Sequence, residues 1–284
     1  MKKKKSILIR VGIVFVFVVT ISLAYLFYQD IGSKIEKKIP SSDKRVKRRG
    51  TITSAGKKFH PSIREHKIAI IIDDIGYELS PVNEILKINA PITVSILPHC
   101  PYSKEAAERA YRAGKEILLH LPMEPREYPD KNPGDKALFL CMSDKEIRHR
   151  LEENLKGVPH ASGVNNHMGS RFMADEKKLE VVLKVLRDKN LFFIDSYTSR
   201  DTKGKKVARK IGLKFAGRDI FIDNKCNYTD TLKIIKKAIG KRDKWHTLII
   251  IGHPYESTIM AIKKAIPMLK AKGIKIVPPS DLTG

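Results

Sequence analysis

Strand-like and helix-like segments alternate across residues 67–284, which predicts an α/β fold built on a parallel sheet. Three observations carry this expectation. Several strand-like runs are β-branched and apolar on both faces, as strands buried in a parallel sheet are. Amphipathic segments separate them. Five of the runs lead into an ionisable residue at their carboxyl end, the side on which parallel sheets and barrels carry their sites.

In chain order, Ile68–Ile72 is the first strand and leads into Asp73-Asp74; the helix Ser80–Ile88 follows. The strand Ile92–Leu97 precedes the helix Ser103–Ala113, for which Ser103 offers a cap. Glu116–Leu119 leads into His120. The helix Ser143–Leu155 opens with Ser143 and Glu146 at capping-box spacing. Gly163–Asn166, the least apolar strand, leads into His167, and the helix Asp175–Asp188 follows. Leu191–Ile194 leads into Asp195, ahead of a shorter helical segment, Lys203–Ile211. Phe221–Ile222, the helix Thr229–Ile239, Leu248–Gly252 with His253, the helix Thr258–Leu269 and the strand Gly273–Val277 complete the series. Two closures fit this order: an open doubly wound sheet, or a (β/α) barrel of seven or eight units. No Gly-x-Gly-x-x-Gly follows the first strand, which counts against dinucleotide binding.

The N-terminal region differs in kind. Residues 1–67 hold 17 basic and 4 acidic residues, so more than half of the net charge of +24 lies in under a quarter of the chain. Four lysines precede an apolar run from Ile7 to Tyr28. The run is interrupted by Arg10, Thr20 and Ser22; its part Val11–Tyr28, with its flanks, comes close to the roughly 20 residues that a bilayer helix needs, and it ends in Tyr25-Leu-Phe-Tyr28 rather than in a small-residue cleavage site. Residues 1–30 are therefore expected to form an uncleaved single-pass anchor. The positive-inside rule keeps its lysines in the cytoplasm and places the body outside. Residues 31–66, with Lys44-Arg-Val-Lys-Arg-Arg49, read as a flexible basic linker, solvated or attracted to an anionic envelope. Residues 67–284 form the folded domain. The body's lysines lie mostly in helix-like segments, as on solvated faces, and no basic-aromatic motif indicates a nucleic-acid partner. Cys100, Cys141 and Cys226 are odd in number and lack CxxC spacing, which excludes a disulfide-stapled fold and a cysteine zinc finger.

The strand-end residues suggest metal-assisted hydrolysis. One aspartate after a strand is commonly a cap or turn residue, and one histidine a hydrogen-bonded core residue. Asp73-Asp74 is harder to explain in that way. Neighbours on a strand face opposite sides, so one of the pair is expected beyond the strand, in a turn eased by Gly76. Two adjacent carboxylates repel unless a proton or a cation neutralises them. Two imidazoles and a carboxylate are a common set for zinc or another divalent ion, while a further carboxylate and a further histidine could handle protons.

Six blocks carry a family resemblance: Ile71-Ile-Asp-Asp-Ile-Gly76, His120-Leu-Pro-Met-Glu-Pro125, Gly163-Val-Asn-Asn-His-Met-Gly-Ser170, Phe193-Ile-Asp-Ser-Tyr-Thr-Ser199, Arg218-Asp-Ile-Phe-Ile-Asp-Asn224 and Ile251-Gly-His-Pro254. In this order they resemble the divergent polysaccharide deacetylase family, part of the wider polysaccharide deacetylase superfamily. The resemblance implies an irregular (β/α) barrel of about seven strands and a metal-dependent enzyme that removes N-acetyl groups from cell-envelope polysaccharide. It also implies site roles: Asp73 as general base, Asp74 and His120 as metal ligands, Asp195 as the aspartate that tunes a catalytic group, and His253 as acid. The superfamily's second metal histidine lies four residues after the first, where this chain has Glu124. Either His167 or Glu124 then completes the set. His167 is preferred because imidazole suits zinc and because it follows a strand. The competing expectation is a non-catalytic module that binds glycan or an envelope partner on the same barrel.

Overall fold

The computed structural model describes residues 65–284. The expected anchor (1–30) and the expected linker (31–66), apart from its last two residues, lie outside the described residues. Among the described residues no helix is long and apolar enough to cross a membrane.

Nine parallel strands form one sheet: β1 (His66–Ile75), β2 (Ile92–Ile96), β3 (Ile117–Met123), β4 (Gly163–Met168), β5 (Phe192–Asp195), β6 (Phe215–Gly217), β7 (Ile220–Phe221), β8 (Thr247–Gly252) and β9 (Ile274–Ile276). Seven helices are interleaved: α1 (Ser80–Leu86), α2 (Ser103–Arg112), α3 (Asp144–Gly157), α4 (Glu176–Asp188), α5 (Gly204–Ile211), α6 (Tyr228–Gly240) and α7 (Glu256–Ala271).

The spatial order is β6-β5-β4-β3-β2-β1-β8-β7. Its two ends, β6 and β7, are consecutive in the chain, with only Arg218 and Asp219 between them. In a flat sheet of this order the edges would lie roughly 34 Å apart at ordinary strand spacing, whereas three residue steps span at most about 11 Å. The sheet must therefore curl into a barrel with one seam, which excludes the open doubly wound alternative. The linking residues lace the seam. Arg218 N donates to Asp195 O on β5 (2.9 Å), and Asp219 exchanges bonds with Ile249 on β8, N to O at 2.8 Å and carboxylate from N at 2.7 Å.

Eight strands line this path, one more than the expected seven. The additional strand is β6, whose three residues, Phe215-Ala-Gly217, are too few to give an alternating pattern. β9 stands outside the ring and pairs with His66–Ile68, beside the start of β1, before β2 takes over at Ile70.

The pleat sorts the side chains into two cores. Ile68, Ile70 and Ile72 of β1, with Ile92, Val94 and Ile96 of β2, pack outward under the helices. Ala69, Ile71, Leu118, Phe192, Ile194, Ile249 and Ile251 form a separate inner cluster, against which Leu282 packs from the C-terminal turn. Continuing that inner parity toward the strands' carboxyl ends reaches Asp73 on β1, His120 on β3, Asn165 and His167 on β4, and His253 just after β8. The barrel interior is thus apolar below and polar above.

Local signals are mostly realised. Ser143 caps α3 with the full capping box to Glu146. Ser103 does not cap α2: it is the helix's first residue and is buried, and its hydroxyl donates to Leu97 O (2.5 Å) and accepts from Cys100 N (2.9 Å). Ser103 therefore ties the β2–α2 loop together.

The inner cluster is tightly filled at β4. A Cβ on Gly163 would lie 2.6 Å from the Phe192 ring. Gly163→Ala should cost about 1–3 kcal/mol through overpacking, as read from urea denaturation. Gly240→Ala, where a Cβ meets nothing within 4 Å, should change stability by less than about 1 kcal/mol.

Candidate metal centre

Asp73 and Asp74 both belong to β1, so neither lies beyond the strand. The backbone instead turns at Asp74, which adopts a left-handed φ of 57°, and the register with β2 slips between Ile72 and Ile75. Aspartate tolerates this conformation better than most residues. The turn lets both carboxylates approach the same group of histidines. His120 lies mid-strand in β3, and His167 is the penultimate residue of β4, because both strands run further than their apolar stretches.

Three ligand-type atoms meet at the mouth. Asp74 Oδ1 is 3.1 Å from His120 Nε2 and 3.0 Å from His167 Nδ1, and the two imidazole nitrogens are 3.1 Å apart. Metal–ligand bonds of about 2.0–2.2 Å at tetrahedral or octahedral angles separate neighbouring donor atoms by roughly 2.9–3.5 Å. The triangle fits that spacing. Asp74 Oδ1 is also buried without a hydrogen bond of acceptable geometry, although both imidazoles are close. A buried carboxylate oxygen that faces two imidazole nitrogens at ligand spacing, without a hydrogen bond of good geometry, is a position that a cation can fill. The three side chains form a metal-ligand cluster in which all the donor atoms lie within 4.8 Å of one another.

A buried polar network aims this cluster. Asn165 is fully buried on β4. Its Oδ1 accepts from Ser95 Oγ (2.6 Å) and faces His120 Nδ1 (2.9 Å), and its Nδ2 donates to Asp73 Oδ1 (2.8 Å). An acceptor at Nδ1 assigns the His120 proton to that nitrogen and leaves Nε2 as the ligating lone pair. Asp73 Oδ2 lies 3.7 Å from His120 Nε2. His253 is oriented separately: its Nδ1 is 3.0 Å from Asp223 Oδ1, and its backbone N donates to Asp223 Oδ2 (2.6 Å). His253 Nε2 then faces Asp74 Oδ2 at 3.8 Å.

Ionisation follows from this packing. Burial raises the Asp73 carboxyl above the usual carboxylate range, and the Asp74 charge adds to the effect against the opposing pull of His120. Burial acts upward on Asp74 as well, but the imidazoles of His120 and His167 outweigh it and hold that carboxyl far below the usual range. At His120 burial acts downward, yet the Asp73 and Asp74 charges prevail and push the imidazole up to about 9. His253 is raised in the same sense, burial being outweighed chiefly by Asp223.

The other expected site residues stand elsewhere. Glu124 is buried and committed: its carboxylate accepts from Arg171 Nη1 (2.8 Å) and from Leu140 N (2.6 Å). Asp195 is also buried, but its carboxylate accepts from Tyr197 N (2.8 Å) and Thr202 Oγ1 (2.6 Å) and makes no hydrogen bond or ion pair with the triad or His253. The carboxylate that orients His253 is Asp223. Sequence reasoning does not single out Asp223, although it directly follows the Phe221–Ile222 run and so carries the same strand-end signal. Asn165 lies within one of the six blocks, but an uncharged residue inside a strand gives no sign of its part in the site. A cleft of about 370 Å³ opens beside the cluster, lined by Asp74, Tyr77, Pro81, His253 and Tyr255.

The model of the divergent polysaccharide deacetylase family matches residues 70–283, the whole barrel. The chain belongs to that family. It is 34% identical over 201 residues to the uncharacterized protein YibQ of Escherichia coli K12, covering 70% of this chain and 62% of that one. It is 34% identical over 205 residues to an uncharacterized protein of Haemophilus influenzae Rd, covering 72% of each. The crystal structure of an uncharacterized protein from Agrobacterium tumefaciens C58 is similar, with a TM-score of 0.73 and 25% identity over 78% of this chain and 90% of that one. The polysaccharide-deacetylase reading of the six sequence blocks is thus correct at the level of family.

The triad should bind one divalent ion per chain, and Asp74→Ala, His120→Ala or His167→Ala should each abolish stoichiometric binding in calorimetric titration. Glu124→Gln should retain it. The sign of the pH dependence follows from His120. Because its pKa is raised from 6.5 to about 9, its proton stabilises the metal-free fold fully below 6.5, and that contribution is lost as pH rises through 9. Metal needs the imidazole free of that proton. Apparent affinity should therefore climb about tenfold per pH unit toward pH 9 and then level off.

Proposed function

We propose that this chain is a metal-dependent amide hydrolase that removes N-acetyl groups from a cell-envelope polysaccharide, anchored in the membrane by Ile7–Tyr28 with its body outside the cytoplasm. The observation that carries the reading is the convergence of three ligand atoms at 3.0–3.1 Å, with a further carboxylate 3.7 Å from His120 Nε2 and a further imidazole 3.8 Å from Asp74 Oδ2. A divalent ion, best zinc for this donor set, would polarise the acetyl carbonyl and acidify the attacking water.

The chain's own residues supply the proton handling. Asp73 takes the proton of the attacking water on Oδ2, the oxygen that Asn165 does not hold. His253 Nε2 delivers a proton to the departing amine nitrogen as the C–N bond breaks, while Nδ1–H stays on Asp223. Acetate and a free amino sugar are the products. The exposed rings of Tyr77 and Tyr255 border the cleft and offer flat faces to a pyranose.

Acetate release from N-acetylated chitin oligomers and peptidoglycan tests the reading. Asp73→Asn should keep metal and lower kcat by about 10²–10⁴. His253→Ala should behave alike, and Asp223→Asn should lower kcat and displace the acid limb of a bell-shaped pH–rate profile. Metal-loaded wild type that releases no acetate from any such glycan, with Asp73→Asn leaving glycan affinity intact, would replace the enzyme with a binding module. The location is tested separately. The full chain should stay with membranes through a high-salt wash, and recovery from the soluble cytosol would overturn that part.

A further inference from the structure

The body's excess positive charge is concentrated in one region. Residues 68–230 hold 27 basic and 24 acidic residues, whereas residues 231–275 hold 11 and 2. This short stretch is most of α6, β8, α7, the loops between and after them, and the start of β9. The two helices are neighbours, and Arg242 Nη1 ties their lower ends by donating to Lys272 O (2.9 Å). Lys237, Lys241, Lys244, Lys270, Lys272 and Lys275 are all exposed there. Among the described residues only Lys275 of these six has an acidic partner, Glu65 at 3.5 Å. The helix macrodipole accounts for a lysine in each last turn, but not for those in the loops beyond.

The same place is where the N-terminal chain joins the barrel. His66 packs edge-on against Trp245 with ring centroids 5.6 Å apart, and its Nδ1 lies 2.8 Å from Trp245 O. Lys67 N donates to His246 O (2.9 Å). The segment bearing the apolar run therefore leaves the body in the middle of this cationic face, at the amino ends of the strands. The metal cluster lies at their carboxyl ends.

We infer that the lower face of α6 and α7 docks on the anionic lipid headgroups of the membrane that holds the N-terminal run. Docking there points the mouth of the barrel away from the bilayer, toward a polymer substrate. The inference rests on the anchored reading of Ile7–Tyr28. Among anionic partners the lipid surface is favoured because the linker that tethers the body to the apolar run leaves it among the unpaired lysines. Each lysine near such a surface is worth about a fivefold factor in the docking equilibrium.

Trp245 is the sole tryptophan of the chain, so its fluorescence reports on this face alone. The full chain is reconstituted into vesicles of phosphatidylcholine, or of phosphatidylcholine with about one third phosphatidylglycerol to raise the surface charge, each with brominated acyl chains. Trp245 should be quenched in the anionic vesicles only and released at about 0.5 M salt, where screening acts within a few ångströms. Lys241→Glu/Lys244→Glu/Lys272→Glu should shift docking by more than about a hundredfold and abolish quenching, with metal binding unchanged as the check on folding; the Gln triple variant should give a smaller effect in the same direction. Equal quenching in both vesicles, or quenching that survives the triple reversal, would overturn the inference. Release by soluble poly(glycerol phosphate) at matched charge would assign the face to a wall polymer instead and would equally overturn it. If the full chain fails to float with neutral vesicles, the anchor reading fails on its own, and flotation with anionic vesicles alone then decides the docking.

Discussion

Asp73 and Asp74 set two carboxyl groups side by side above a layer of isoleucines, Asp73 buried and Asp74 at the edge of the cleft. Two negative charges cannot share such a site without compensation. Everything around them supplies it. His120 and His167 approach Asp74 within about 3 Å, Asn165 donates to Asp73, and His253 closes on Asp74 from the next strand. The Asp73 and Asp74 charges outweigh burial and push the His120 imidazole up, so the pocket draws positive charge. A proton satisfies part of that demand, and a divalent ion would satisfy more of it while leaving the imidazoles neutral.

The arrangement is possible because of the pleat. Side chains alternate faces along every strand, so one parity of five strands meets inside the barrel. Lower in the barrel that parity is Ala69, Ile71, Leu118, Ile194, Ile249 and Ile251, which fill the interior and keep it dry. One step higher it becomes Asp73, His120, Asn165 and His253. The outward parity on the same strands is almost wholly isoleucine, valine and leucine, covered by helices. The fold thus separates its tasks by position along the strand. A one-residue slip in any register would exchange a ligand for a core isoleucine.

Much of this is legible in the residues themselves, since apolar β-branched runs ended by single charged residues are an uncommon pattern. Apolar runs mark eight of the nine strands, and the five that lead into an ionisable residue locate the triad. Three things are not legible. β6 has too few residues to show alternation. The left-handed turn at Asp74 leaves no mark in a sequence, because aspartate is compatible with either conformation. Asp195 and Asp223 both follow apolar strand residues, and only the contacts distinguish the one that hydrogen-bonds Thr202 from the one that hydrogen-bonds His253. The resemblance gives Asp195 the tuning of a catalytic group, and the hydrogen bonds give Asp223 the orientation of His253.

Glu124 shows how a buried carboxylate close to the histidines is kept out of their cluster. Its position, four residues after His120, lies just past the end of β3. A carboxylate there would add a third negative charge to a pocket that already holds two, and the structure turns it aside. Arg171 and the Leu140 amide take up both of its oxygens, and its carbonyl accepts from Arg171 N and Phe172 N. Glu124 therefore fastens the loops after β3 and β4 to each other. The imidazole comes instead from β4, where His167 pairs in register with Pro122 of β3 and shares the inward parity of Asn165. Neighbouring parallel strands present equivalent positions about 5 Å apart, a distance that a histidine side chain readily spans. A second imidazole can thus reach the triangle of donor atoms from the neighbouring strand, with the inward parity kept.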